Sequence, residues 1–153
     1  MKDRLHFYSI IIIIICLILV SLIIIITTMT PTDEAIVKFH TNQGSVQFFC
    51  EVAETLEEKH EGLRGVAELP RNQGMLFAYD SMNPLVFTMT GMSIPLDIIF
   101  IDENFTVNHI VEADIGEEFI HSNGPAQYVI EINQGLSREY EISLGTTVEI
   151  IFE

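Results

Sequence analysis

Hydrophobic residues follow different rhythms in different parts of this chain. From Phe7 to Met29 there is no charged position, and Ile10 to Ile26 is almost wholly Ile, Leu and Val. As a helix that stretch rises roughly 35 Å at about 1.5 Å per residue, enough to cross a hydrocarbon core of about 30 Å. The run is too long for a cleavable signal, and "IIIITTMTPTDEA" has no small-x-small cleavage site. Cys16 also lacks the small preceding residues of a lipoprotein signal. The pattern therefore predicts an uncleaved transmembrane signal anchor over 7–29, contacting membrane lipid. Lys2 and Arg4 precede it while Asp33 and Glu34 follow, which leaves the N-terminus, 1–6, in the cytoplasm. A tether over 30–35 and an extracytoplasmic domain over 36–153 complete a single-pass cell-membrane protein.

Beyond the tether the rhythm becomes alternation. "AIVKFHTNQGSVQFFCEVA" is two alternating runs split by "TNQGS", a hairpin pattern. Val46, Phe48, Cys50 and Val52 fall on one face of the second run. "TLEEKHEGLRG" then changes period: Thr55 and Glu58 form a capping box, acidic residues fill the first turn, and Arg64 with Gly65 close a helix of about two turns. Leu56, His60 and Leu63 share its inner face. Short apolar runs follow at Met75–Tyr79, Leu85–Met89, Ile94–Ile101, Phe105–Val111, Tyr128–Ile132 and Thr147–Phe152. "DSMNP", "DEN" and "HSNGP" read as turns between several of them, and "GLSREYEISLG" as one or two helical turns. The prediction is a mostly β domain with minor helices, a small antiparallel barrel or sandwich.

Charge narrows the partners. All but Asp3 of the 22 acidic residues lie after the apolar run, against Lys38, Lys59, Arg64, Arg71 and Arg138. Nucleic acid is excluded as a partner on that balance. Solubility is the simpler account of the acidity, and cation binding the sharper one. Cys50 has no disulfide partner in the domain, because Cys16 lies in the apolar run. It reads as a small core residue and not a nucleophile.

No metal or cofactor motif is present. Histidines 6, 40, 60, 109 and 121 show neither H-x-H nor H-E-x-x-H spacing. "DENFTVN" begins like a calcium loop but lacks Gly at the sixth place and Glu at the twelfth. Three polar residues inside strand patterns remain. Asp97 follows Pro95, which cannot donate to a ladder, so its carboxylate is placed to accept orphaned backbone N–H groups or to serve a pocket. Glu131 alternates onto the face opposite Tyr128, Ile130 and Ile132, expected to be a solvated outer face. Tyr128 reads as a core aromatic with its hydroxyl at the rim. Were Asp97 and Glu131 to converge, two carboxylates could perform acid–base chemistry.

"VAETLEEKHEGLRGVAELPRNQGMLF", "FTMTGMSIPLDIIFIDENFTV" and "GPAQYVIEINQG" together strongly resemble the domain-of-unknown-function family 192, over roughly Val46 to Phe152. The resemblance implies a compact β-barrel-like domain, often secreted or membrane-anchored, and brings no established activity. Where the family reads G-L-M-x-R, this chain has Gly62, Leu63, Arg64, Gly65 and Val66, so the arginine is missing from its usual place, with Arg64 two residues earlier. Where it reads F-W-M-K-N-T, this chain has Phe87, Thr88, Met89, Thr90, Gly91 and Met92, without tryptophan, lysine or asparagine. The family's glycine after FID is Phe105 here, which shifts the expected left-handed position to Asn104. The missing cations leave Asp97 to be satisfied by backbone N–H groups or Thr hydroxyls.

The reading that results is a membrane-anchored extracytoplasmic binding or accessory module for an unknown ligand or envelope protein, more consistent with no enzyme activity than with one. Asp97, Glu131, Tyr128, Thr88, Thr90 and Arg64 are its candidate pocket or structural polar residues, without metal or cofactor. The alternatives are a weak carboxylate-dependent enzyme using Asp97 and Glu131, and a structural subunit assembling through the N-terminal helix.

Overall fold

The computed structural model describes residues 13–20 and 33–153. Residues 13–20 are helical (α1) with every side chain exposed. Among the described residues no helix is long and apolar enough to cross a membrane; most of the predicted anchor over 7–29 lies outside them.

Asp33–Glu153 forms a unit of its own. Its elements run β1 (Glu34–Thr41), β2 (Gly44–Ala53), α2 (Leu56–Glu61), β3 (Gln73–Phe87), β4 (Leu96–Ile101), β5 (Val107–Ala113), β6 (Ile120–Asn133), α3 (Leu136–Glu139) and β7 (Thr147–Phe152). β1 starts at Glu34 and buries Ala35, so the last two positions expected in the tether belong to the sheet. The β1–β2 hairpin stands where alternation placed it, with Thr41 paired to Gly44. The capping box also forms: the Thr55 hydroxyl accepts from Glu58 N at 3.2 Å, and the Glu58 carboxylate accepts from Thr55 N at 2.8 Å. The helix stops sooner than expected, because Gly62 turns the chain at φ 53°. Leu56 is consequently 89% exposed, and Leu63 alone of the expected inner face is buried.

Seven strands make one sheet in the order β5-β4-β6-β3-β2-β1-β7. It is mixed, not wholly antiparallel. After β2 the chain crosses through α2 and returns beside β2 in the same direction, pairing Phe49 with Gln73 through Ala53 with Phe77. Nor is it a closed barrel. The outer strands meet at one bridge, Thr106 to Thr147, and past it β5 pairs with β4 alone and β7 with β1 alone. "DSMNP" and "HSNGP" are not turns but the irregular middle of the long β3–β6 pair, where register shifts between Ala78 and Asn83 and between Pro84 and Val86 absorb the prolines and glycine.

Both faces of the sheet are covered. One core gathers Val37, Phe39, Phe48, Leu76, Ile99, Ile130 and Ile132, with Leu136 and Ile142 packed from around α3. The other gathers Met75, Phe77, Leu96, Ile98, Phe100 and Val129, with Leu63 and Met89 from the connections. Cys50 is buried in the first core, and burial pushes its thiol up to about 12, which makes it inert. Gly74 lets β3 and β6 approach closely: a Cβ there would lie 2.6 Å from the Glu131 carbonyl oxygen. After FID it is Phe105, not Asn104, that adopts the left-handed conformation, at φ 55°. Asp102 Oδ1 accepts from Asn104 N at 2.9 Å and Thr106 N at 3.0 Å, and the Phe105 ring stacks on Tyr128 at 5.4 Å. Those contacts offset the backbone strain of a bulky residue at positive φ.

A candidate ligand cavity over Glu131

Strand β6 alternates Tyr128, Ile130 and Ile132 toward the first core and Val129 and Glu131 toward the second. Glu131 does lie opposite Tyr128, but that face is not solvated. The second core, α2 and the turn after it cover Glu131, leaving it 5% exposed. Its Oε2 is buried without a hydrogen-bond partner among the described residues. Burial raises its carboxyl from the ordinary carboxylate range to about 8, partly opposed by the Arg64 charge, so it is mostly neutral at pH 7.

Above Glu131 lies a cavity of about 150 Å³. Leu63 enters the second core and draws the turn after α2 over the sheet, setting Arg64 at the cavity wall. Arg64 Nε donates to the Thr90 carbonyl at 3.1 Å, and its Nη1 donates to the His60 and Glu61 carbonyls. Lys59 Nζ lies 4.5 Å over the Tyr79 ring and donates to the Glu54 carbonyl at 2.6 Å. Burial, with the Glu131 charge second, raises the Tyr79 hydroxyl above its ordinary value. Phe77, Phe87 and Met92 supply apolar wall, while Thr88 and His60 stand at the exposed side.

Lys59 and Arg64 differ from the domain's other cations. Lys38 pairs with Glu149 at 3.0 Å, Arg71 with Glu139, and Arg138 with Glu112. Lys59 and Arg64 form no ion pair among the described residues; both rest on backbone carbonyls beside the cavity. Sequence reasoning had singled out Arg64, Thr88 and Glu131 but not Lys59 or Tyr79. The alternation Met75, Phe77, Tyr79 was the available signal for Tyr79, since it continues the face that β3 turns toward Glu131.

Asp97 is elsewhere. It is fully buried, and its carboxylate accepts from Gly135 N at 3.0 Å, Ser137 N at 2.8 Å and Ser137 Oγ at 2.6 Å. These groups belong to the start of α3, so the hydroxyl that satisfies Asp97 comes from serine and not threonine. Across β4 and β6, Asp97 stands opposite Ile132 and Ile98 opposite Glu131. Neighbours directly opposite share a face, so the two carboxylates project from opposite faces of the sheet. They form no catalytic pair. Thr88 Oγ1 donates to Thr90 Oγ1 at 2.9 Å, and Tyr128 is half-buried against the first core. Among the described residues no group of three or more His, Cys, Asp or Glu is placed to hold a metal.

The profile of the DUF192 family, uncharacterized ACR, matches residues 37–150. The chain belongs to this family. A DUF192-like fold is also shared with a protein of unknown function from Novosphingobium aromaticivorans DSM 12444, at 32% identity and a TM-score of 0.75, over 79% of this chain and 88% of that one. A second solved structure, described as a candidate transcription regulator from Sinorhizobium meliloti 1021, has 27% identity and a TM-score of 0.74, over 78% of this chain and 95% of that one. No curated protein matches the sequence. Within this DUF192 domain, Thr88 stands at the exposed side of the cavity, its hydroxyl bonded to Thr90. Gly91 holds φ 81°, and a Cβ there would make ordinary contact with Arg64 Cδ and Nε at 3.6 Å.

Proposed function

We propose that this DUF192 member is a membrane-tethered, outward-facing binding module, and that its ligand enters the cavity over Glu131. The carrying observation is the buried Oε2 of Glu131, which has no hydrogen-bond partner and borders a cavity. A buried carboxyl oxygen left without a partner costs roughly 1–3 kcal/mol, which a ligand with the complementary group recovers on binding. Hollows of about 280 and 410 Å³ are bordered by neither buried polar atom that lacks a partner among the described residues. The tether rests on the apolar run from Phe7 to Met29, and the outward orientation on the charges that flank it.

The regulator description of the Sinorhizobium protein does not carry over well. A net charge of −15 repels nucleic acid, and three of the five domain cations are already paired with carboxylates. Enzyme action by Asp97 and Glu131 lacks geometric support, since they face opposite ways. Assembly through 7–29 rests on residues that are largely outside those described.

Ligand-observed NMR with small polar fragments on the full-length protein tests the reading. Thr88→Trp should close the mouth and abolish the hits while leaving the fold intact by circular dichroism. Hits that survive Thr88→Trp, or a screen without hits, would overturn the assignment of this cavity.

A further inference from the structure

The chemistry around Glu131 goes further and narrows the ligand class, an inference that rests on the cavity being the binding site. A cavity of about 150 Å³ suits the head of a small molecule. Its base is the Glu131 carboxyl and its wall includes Arg64 and Lys59, which form no ion pair among the described residues. Elsewhere the domain is strongly acidic, so an anion has little reason to approach except where free cations are held. Both cations keep donor capacity. Arg64 uses Nε and Nη1 on carbonyls, and among the described residues no bond engages its Nη2. Lys59 gives one hydrogen bond to Glu54 O and retains two donors.

We infer that the cavity binds the carboxylate head of a small organic acid, one oxygen meeting the unpartnered Glu131 carboxyl while Arg64 and Lys59 offset its charge. The apolar wall of Phe77, Phe87 and Met92 suits a short hydrocarbon stem behind the head. An amine would be the opposite solution, an ammonium paired with ionised Glu131, and it would have to enter past Arg64 and Lys59. The groups facing Glu131 that set the pH response are Arg64, Lys59, His60 and Glu61 from α2 and its turn and Tyr79 from β3; the β4 neighbour, Ile98, is apolar. Glu61 is exposed at the rim and contributes only its carbonyl to Arg64. With burial raising Glu131 to about 8, the hydrogen-bonding form is present at neutral pH and lost in base.

The test is titration of the full-length protein with sodium acetate, sodium propionate and methylammonium chloride against sodium chloride of equal ionic strength, read by NMR shifts of cavity residues. Acetate and propionate should bind near pH 7.5 and weaken about tenfold or more near pH 9.5. Arg64→Gln should weaken both about tenfold. Glu131→Gln keeps a donor in place and should bind acetate at both pH values alike. Methylammonium binding lost in Glu131→Gln would overturn the carboxylate assignment while leaving the cavity a ligand site. Acetate binding indifferent to Arg64→Gln, or no response to either acid, would overturn it also, and the Thr88→Trp fragment screen judges the cavity itself separately.

Discussion

Removing the Asp97 carboxylate would strand two backbone N–H groups and a hydroxyl at the start of α3, all in a buried setting. The residue is therefore a positioning group for the turn that carries Leu136 into the first core. Asp97→Ala should lower stability by about 3 kcal/mol, and Ser137→Ala by about 1 kcal/mol, read as urea midpoints. An unchanged midpoint for Asp97→Ala would refute the role. Glu131 makes the contrary prediction. Its carboxyl has a folded value raised to about 8, from an ordinary 4.5. A raised value means the folded state holds its proton longer than the unfolded state. Its share of stability is complete below about pH 4.5, falls as pH rises, and is fully lost above about pH 8. Glu131→Gln carries no ionisable group, so it should match the wild type near pH 4.5 and exceed it by a few kcal/mol near pH 9. Denaturation across that range checks the crossover, and a constant difference between the two proteins would show that Glu131 ionises normally.

Between strands, tolerance is narrowest at Gly74. A methyl there would meet the Glu131 carbonyl at 2.6 Å and the Ile132 side chain at 3.0 Å, so β3 and β6 must part. Gly74→Ala should cost at least about 2 kcal/mol and also displace Glu131, so destabilisation and loss of cavity binding should appear together. A Gly74→Ala protein of normal stability would show that β6 yields easily. Such close approaches are invisible to alternation, which reads a face but not a distance. Alternation did place β1, β2 and β7, and the capping box placed the start of α2, because these depend on neighbours within a few residues. It failed where long-range pairing decides. The parallel β2–β3 pair depends on a crossover spanning Glu54 to Asn72. "DSMNP" and "HSNGP" carry turn residues yet lie in β3 and β6, because each supplies the other's irregular ladder. For the same reason Glu131 was legible as facing away from Ile130 but not as buried: what covers that face is a turn more than sixty residues earlier in the chain.

For the domain as a whole, charge is the dominant unbalanced term. Its ion pairs, Lys38–Glu149, Arg71–Glu139 and Arg138–Glu112, lie at the surface and so contribute little. The remaining carboxylates repel one another across the same surface, and the excess of acidic groups, a net charge of −15 over the whole chain, makes repulsion the larger sum. Salt weakens both, since the screening length falls from about 10 Å at 0.1 M to about 3 Å at 1 M. Because repulsions outnumber attractions, screening should stabilise the fold. The urea midpoint should therefore rise between about 0.1 and 1 M sodium chloride, with the slope of the transition unchanged. Potassium chloride should act equally, because screening depends on ionic strength and not on which cation is present. A response to sodium that potassium fails to reproduce would instead reveal a selective cation site among the carboxylates. A midpoint that fell with either salt would mean that the three ion pairs outweigh the repulsion around them.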